Sequence, residues 1–94
     1  METQNEHDIE LFEKVAIGAI YRHFKGKEYK VLHIGHHSET LEQMVVYQAL
    51  YSTPEFGPYS IWVRPLKMFV EKVEVDGQLV DRFALTHESN PVYE

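Results

Sequence analysis

The densest group of chemically useful side chains in this sequence is the run His36-His37-Ser38-Glu39-Thr40. An imidazole titrates near neutral pH and a carboxylate can orient it, so His37 and Glu39 could form a general acid–base pair. A nucleophilic triad needs members that converge from separate elements beside an oxyanion hole, which adjacency along the chain does not provide. The other interpretation is a polar turn, in which Ser38 and Thr40 bond nearby backbone and Glu39 faces solvent.

The histidines are poorly spaced for a metal. On a strand, His33 and His37 share a face but lie about 13 Å apart at about 3.3 Å per residue, and His36 points away. His23 could join His37 from a paired strand, which makes at most two convergent histidines against the three or four ligands typical of zinc. The chain has no cysteine, so thiolate sites, disulfides and a cysteine nucleophile are excluded. We therefore expect no metal and no cofactor.

Trp62 and Arg64 form a second candidate group. They flank Val63, so on a strand their side chains share a face. A guanidinium fork binds a carboxylate or phosphate, and an indole stacks on a flat group. The alternative is that Trp62 belongs to the core and Arg64 pairs internally with Glu39 or Glu42.

Together these residues predict a shallow ligand-binding site formed by His23, Lys25, His37, Glu39, Trp62 and Arg64. In it Arg64 and Lys25 would hold an anion, Trp62 would stack on a flat group, and Glu39 would orient His37 or Arg64. The predicted function is a non-catalytic binding module for a small anionic or planar ligand, or for a peptide end. The alternatives are an enzyme that uses His37 and Glu39, and a homodimeric structural or interaction protein.

Charge and composition narrow the partners. The net charge of −6 argues against nucleic acid, because phosphate neutralisation supplies most of that affinity. Residues 21–30 nevertheless carry four bases and one acid, so a local basic loop could hold one anionic group. No apolar run reaches the roughly 18–20 residues of a membrane span, and the acidic start of the chain is not a signal peptide. With no cysteine present, these features favour a soluble cytoplasmic protein with no membrane partner.

The elements that must position these residues are mostly strands. Helical spacing of apolar residues predicts a short helix over residues 8–16, capped by Asp8. Short runs bounded by turn signals predict strands over residues 19–24, 29–37, 41–51, 60–64, 69–75 and 78–85, with a loop over 52–58. Residues 69–75 alternate apolar and charged residues at period 2. Pro65 stops one strand, residues 66–68 form a single helical turn, and Asp76-Gly77 makes a hairpin turn. In the last strand, Leu79, Phe83 and Leu85 are predicted to face inward.

The strand over residues 41–51 is apolar on both faces, which is typical of a strand covered on both sides. One side would be the core, and the other would meet the N-terminal helix, a ligand or a second copy in a homodimer. The predicted fold is a small SH3-like barrel of five to six strands with a short N-terminal helix. A curled open sheet covered by that helix is the alternative. The predicted organisation is an N-terminal extension over residues 1–17, a barrel domain over 18–85 and a tail over 86–94.

Four motifs in a fixed order carry a family resemblance: Tyr-x-His-x-Lys-Gly, His-Ser-Glu-Thr, Val-Val-Tyr and Trp-Val-Arg-Pro. Over residues 18–84 the chain resembles a family of small bacterial proteins catalogued as domain of unknown function 1653. The resemblance implies a stand-alone barrel-like domain in the bacterial cytoplasm, without an established activity. The family motifs fall on Tyr21, His23, Lys25, Gly26, His37, Ser38, Glu39, Thr40, Tyr47, Tyr51, Trp62, Arg64 and Pro65.

Overall fold

Three consecutive antiparallel strands form the centre of the computed structural model, which describes residues 14–87. They are β1 (Ile20–His23), β2 (Glu28–His36) and β3 (Gln43–Ala49). The turn between β1 and β2 contains Gly26 with a φ of 110°, a conformation that favours glycine. This turn sets the hairpin register, in which Arg22 lies opposite Glu28.

Further strands extend this meander on both sides. After β3 come a small hairpin of β4 (Ser52–Thr53) and β5 (Gly57–Pro58), then β6 (Ile61–Pro65) antiparallel to β3. The short helix α1 (Leu66–Phe69) follows, and then a hairpin of β7 (Lys72–Val75) and β8 (Gln78–Asp81). The last strand, β9 (Phe83–His87), returns to pair with β1. The main sheet therefore has the order β6-β3-β2-β1-β9.

The main sheet is strongly curled but open. In a flat sheet, β6 and β9 would lie about 19 Å apart, four spacings of about 4.8 Å. Instead the guanidinium carbon of Arg64 on β6 lies 5.6 Å from the ring centroid of Phe83 on β9. No pairing joins β6 to β9 in the described part of the chain. The predicted closure into an SH3-like barrel is therefore not observed, and the mostly β architecture is that of a curled open sheet.

The concave side of the sheet holds the core. Along β3 the buried residues Gln43, Val45, Tyr47 and Ala49 alternate with half-buried ones. The helix α1 adds Leu66 and Phe69, each about 1% exposed. The Phe69 ring stacks on Phe83 with centroids 4.1 Å apart and an interplanar angle of 2°. Aromatic packing thus ties α1 and β9 to the central strands.

The predicted local signals after β6 are largely confirmed. The helical turn after Pro65 is present as α1. Asp76 and Gly77, at φ 51° and 81°, connect β7 to β8 in the mirror-image turn that a two-residue hairpin favours. The inward direction of Leu79 is wrong, because its side chain is 70% exposed. Arg82 interrupts the regular strand between β8 and β9. The side-chain alternation of the β7–β8 hairpin therefore does not continue into the main sheet.

Several predictions fall at the ends of the chain. Residues 8–13 of the predicted N-terminal helix lie outside the described residues, and residues 14–16 are not helical. Most of the predicted extension and tail also lie outside them. The predicted loop over residues 52–58 contains the small β4–β5 hairpin. No helix within residues 14–87 is long and apolar enough to span a membrane.

Candidate functional site

Cross-strand register places Trp62 and Arg64 on the concave face. Residues directly opposite each other in antiparallel strands have side chains on the same face. Trp62 lies opposite Tyr47 and Arg64 opposite Val45, and both β3 residues are buried on the core side. The period-2 prediction that Trp62 and Arg64 share a face therefore holds in the structure.

His23 reaches the same face from β1. It lies opposite Phe83, which is 6% exposed, so both side chains point toward the concave side. The imidazole centroid is 5.0 Å from the Phe83 ring and 4.5 Å from the Phe24 ring. His23 and Arg64, on different strands, thus both contact one side chain, Phe83.

An aromatic cluster joins these polar groups: Tyr29, Tyr47, Tyr51, Phe69 and Phe83. Tyr29 packs edge-to-face against three of its members, at centroid distances of 5.3 to 5.8 Å. The Tyr29 and Tyr51 hydroxyls hydrogen-bond to each other. Only one of the two protons serves that bond, so the accepting hydroxyl keeps a proton to donate outward.

Arg64 is half-buried and has no counterion among residues 14–87. Its guanidinium lies against the Phe83 ring, and it makes no hydrogen bond or ion pair with any described residue. The ion pairs among residues 14–87 are Arg22–Glu28, Lys72–Asp81 and Arg82–Glu71. The alternative interpretation, in which Arg64 pairs with Glu39 or Glu42, does not describe the structure.

The electrostatic environment near Arg64 is positive. Burial holds the pKa of His23 below its ordinary value, and the charges of Arg64, Arg82 and Lys25 lower it further. The His23 Nδ1 accepts the Lys25 backbone N–H at 3.1 Å, so the proton of the neutral ring is on Nε2. No described residue accepts that Nε2 proton.

Burial also raises the pKa of the Tyr29 phenol well above its usual range, and the hydrogen bond with Tyr51 raises it further. Two exposed lysines of the β1–β2 turn lie against aromatic rings of this region. The Lys27 ammonium lies 5.0 Å from the Tyr51 ring centroid, and the Lys25 ammonium lies 5.8 Å from the Phe24 ring centroid. With its pKa raised, the Tyr29 phenol stays neutral near neutral pH.

Trp62 forms the rim of this region. Its indole Nε1 donates to the Ser60 Oγ at 2.9 Å, and its ring meets Phe56 edge-to-face at 5.0 Å. With its only donor already used, the indole presents its ring to an incoming group. The side chains of His23, Tyr29, Tyr51, Trp62 and Arg64 are hereafter called the Arg64 face.

The structure does not bring His37 and Glu39 to the Arg64 face. They follow the end of β2 away from His23, and eight steps of about 3.3 Å place about 26 Å of strand between that end and the Glu28 end beside β1. No contact joins either residue to Arg64 or Trp62 within residues 14–87. The His37 Nδ1 accepts backbone N–H groups of Glu39 and Thr40, at 3.1 and 3.3 Å. The imidazole is exposed and no carboxylate contacts it within the described chain. This geometry is that of a capped polar turn.

Of the six predicted site residues, His23, Lys25 and Arg64 therefore lie near one another, Trp62 shares their face, and His37 and Glu39 lie apart. The predicted site did not include Tyr29 or Tyr51, and Phe83 was predicted only to face inward. For Tyr29 and Phe83, inward-facing positions on β2 and β9 were the available signal, and Tyr51, between β3 and β4, was one of the family motif residues. Among residues 14–87, no group of three or more His, Asp or Glu is arranged to hold a metal.

A separate cavity of about 350 Å³ lies against the other side of the core. It is lined by Tyr21, Phe69, Phe83 and Leu85, with Lys14 and the Lys72–Asp81 ion pair at its edge. It contains none of the residues of the Arg64 face. The donor groups described above therefore do not line this cavity.

Comparison with known proteins agrees with the motifs. Residues 19–85 match the family model described as Protein of unknown function (DUF1653). The fold is similar to the crystal structure of a DUF1653 protein from Bordetella bronchiseptica, with a TM-score of 0.68 and 29% sequence identity, over 84% of this chain and 97% of that chain. No curated protein shows significant similarity. Because the family model spans well over half of its length, the chain belongs to the DUF1653 family.

Proposed function

We propose that this protein is a non-catalytic binding module that holds a small anionic ligand on the Arg64 face. The observation that carries the proposal is the half-buried guanidinium of Arg64, which has no carboxylate partner among the described residues. An arginine stays charged at all relevant pH values, so it cannot relieve burial by losing its proton. A partly buried charge without a counterion is costly, and a bound anion would remove that cost.

The neighbouring polar groups support an anion rather than a cation. The Arg64 N–H groups, the His23 Nε2–H and one hydroxyl of the Tyr29–Tyr51 pair are all donors without an acceptor in the described chain. The buried Nε of Arg82 also lacks an acceptor there. Among residues 14–87, the nearby carboxylates Glu28 and Glu71 are paired with Arg22 and Arg82 rather than with a group of this face. A ligand rich in acceptors complements this surface.

The alternative of an enzyme has less support. General acid–base catalysis needs a base within reach of its substrate and a group that orients it. Glu39 contacts His37 through its backbone N–H, and the imidazole is on an exposed turn. Nothing in this arrangement orients His37 toward a cleft.

A titration of ¹⁵N-labelled protein with acetate, benzoate and inorganic phosphate, followed by NMR, tests the proposal. We expect at least one anion to produce saturable shifts at the amides of His23, Tyr29 and Arg64. Arg64→Gln should abolish them, because the charge and the planar fork are lost.

Arg22→Gln is the matched control, because Arg22 is exposed and already paired with Glu28. It should leave binding intact. The proposal fails if none of the anions gives saturable shifts, or if Arg64→Gln binds as tightly as the natural protein.

A second candidate function is self-association through β3 and its neighbour β6. Ala49 donates its N–H to the Ser60 carbonyl, so alternation directs the backbone groups of Ile61 and Val63 to the open side of β6. Both side chains are 58% exposed. The half-buried Met44 and Val46 of β3 lie beside them on the convex face. An unpaired apolar edge of this kind is available for pairing with a second copy.

Analytical ultracentrifugation tests this candidate function. We expect a monomer–dimer equilibrium that Val63→Lys shifts to monomer, because a lysine on an edge strand opposes pairing. Lys30→Glu, on the convex face of β2, is the control for a change of charge alone. A strict monomer at millimolar concentration would remove the hypothesis.

A further inference from the structure

The number of uncompensated charges on the Arg64 face limits the ligand. Arg64 is the one guanidinium there without an ion-pair partner among residues 14–87, since Arg82 is paired with Glu71 at 3.1 Å. His23 is held largely neutral near pH 7, because burial and three positive neighbours oppose its protonation. Lys25 and Lys27 are exposed and lie beside aromatic rings at the edge. One unpartnered positive charge is matched by a monoanion.

The shape of the guanidinium limits the anionic group. One flat side of Arg64 lies against the Phe83 ring, which leaves the edge of the fork to meet a ligand. Two parallel N–H groups of such a fork match the two oxygens of a planar carboxylate. A tetrahedral phosphate dianion also fits a fork, but it carries a second charge, and the further cations Lys25 and Lys27 lie against aromatic rings at the exposed edge rather than beside the Arg64 fork.

The surface beside Arg64 is aromatic. Trp62 lies two residues before Arg64 on the same face of β6, about 6.6 Å away at about 3.3 Å per residue. Its Nε1 is already bonded to Ser60, so the exposed part of the indole can contribute only ring contacts. Phe56 supports the indole from the side. A carboxylate bound by Arg64 therefore lies next to a flat apolar surface about the size of one aromatic ring.

We infer that the ligand is a monoanionic carboxylic acid with a flat, apolar body, whose carboxylate binds Arg64 and whose body lies against Trp62. This inference rests on the proposed anion-binding function and specifies the class of ligand. The His23 Nε2–H and the free hydroxyl proton of the tyrosine pair supply further donors to the carboxylate oxygens. The cavity beside Tyr21 and Leu85 has no role in it.

Four probes that differ in charge and in the presence of a ring test the inference: benzoate, acetate, benzamide and inorganic phosphate. Each is titrated at pH 7 and followed by NMR. Benzoate should bind about tenfold more tightly than acetate, because ring stacking on an aromatic side chain commonly contributes a factor of this size. Benzamide, which has the same shape without the charge, and phosphate should both bind more weakly than benzoate.

Variants separate the two contacts. Trp62→Ala should reduce benzoate affinity to the level of acetate while acetate affinity stays unchanged. Trp62→Phe, which keeps a flat ring, should retain the preference for benzoate even if Trp62→Ala does not fold. Ile61→Ala is the matched control on the convex face of the same strand, and it should change neither affinity.

The outcomes distinguish this inference from the proposed function. Equal affinities for benzoate and acetate, or tighter binding of phosphate than of benzoate, would overturn the ligand class and leave an anion site in place. Tighter binding of benzamide than of benzoate would also overturn it, because charge would then be irrelevant. Absence of saturable binding by all three anions would overturn both the ligand class and the proposed function.

Discussion

The guanidinium carbon of Arg64 lies 5.6 Å from the ring centroid of Phe83, although the two residues occupy opposite edge strands of the main sheet. This contact can form only because the sheet curls until β6 and β9 approach each other. It also connects the candidate site to the core, since Phe83 stacks on Phe69 at 4.1 Å. The Phe83 ring thus packs in the core and also contacts the Arg64 guanidinium, which has no ion-pair partner among residues 14–87.

Replacement of the Phe83 ring should destabilise the folded protein. Phe83→Ala is expected to lower the free energy of unfolding by about 3–5 kcal/mol, because a buried phenylalanine is replaced by a cavity. Urea unfolding followed by circular dichroism measures it. Phe56→Ala is the control, since Phe56 is 58% exposed and should cost less than about 1 kcal/mol. Similar losses for the two variants would show that Phe83 is not a core residue.

The Tyr29–Tyr51 hydrogen bond should be visible in the titration of the Tyr29 phenol. In Tyr51→Phe we expect the pKa of Tyr29 to fall toward its ordinary value but to stay above it, because the hydrogen bond is lost while burial remains. The same change should cost about 0.5–1.5 kcal/mol of stability. Measurement is by NMR of tyrosine labelled at Cζ, with the exposed Tyr59→Phe as the control. An unchanged Tyr29 titration would mean that the hydroxyls do not interact in solution.

Stability should depend on pH through His23. Its pKa is lower in the folded protein than the unfolded value of 6.5, chiefly because of burial, so below about pH 6.5 the unfolded chain binds more protons than the folded one. Stability is therefore complete above that pH and decreases as the pH falls toward the folded pKa. In His23→Asn this decrease should be smaller.

Thermal unfolding between pH 7.5 and 5 measures the slope for His23→Asn. His33→Asn is the matched control, because His33 is exposed and lies opposite Val46, away from the concave face. If the pH dependence of the melting temperature decreases equally in both variants, then burial and the positive neighbours of His23 are not what opposes its protonation.

The turn between β7 and β8 requires glycine at one position. Gly77→Ala should cost about 1–2 kcal/mol, because Gly77 has a φ of 81° and an alanine there is strained although no atom lies within 4 Å of the added Cβ. Gly35→Ala on β2 also meets open space but has no positive φ, so it should cost little. Differential scanning calorimetry of the pair checks this. An equal loss in both would indicate that strain at residue 77 is not the cause.

Local signals in the chain predicted the elements well where a short-range rule decides them. A run of β-branched and aromatic residues identified β3, because such side chains fit a pleated, buried surface. Period-2 alternation identified β7. Pro65 and Asp76-Gly77 marked the ends of strands, since a missing N–H and positive φ values act on the residue itself. The same alternation gave the wrong direction for the Leu79 side chain. Arg82 interrupts the strand after β8, and β8 pairs with β7 rather than with the main sheet.

Part of the site prediction depended on register. The hairpin turn that ends at Lys27 places Arg22 opposite Glu28, and each further step along β2 carries His37 away from His23. The turn therefore implies that His37 and His23 lie far apart. The prediction that the two histidines lie together did not take this register into account. The shared face of Trp62 and Arg64 was predicted, because residues two positions apart on one strand point to the same side.

The sequence by itself determined a mostly β chain of the DUF1653 family, its main strands, its turns and a local excess of basic residues near His23. These follow from side-chain pattern and backbone preference, which act over a few residues. Only the tertiary structure decided that the sheet curls without closing, that Arg64 meets Phe83, and that Arg64 has no carboxylate beside it among residues 14–87. Those facts depend on contacts between residues about twenty or more positions apart, and packing energy rather than local preference selects them.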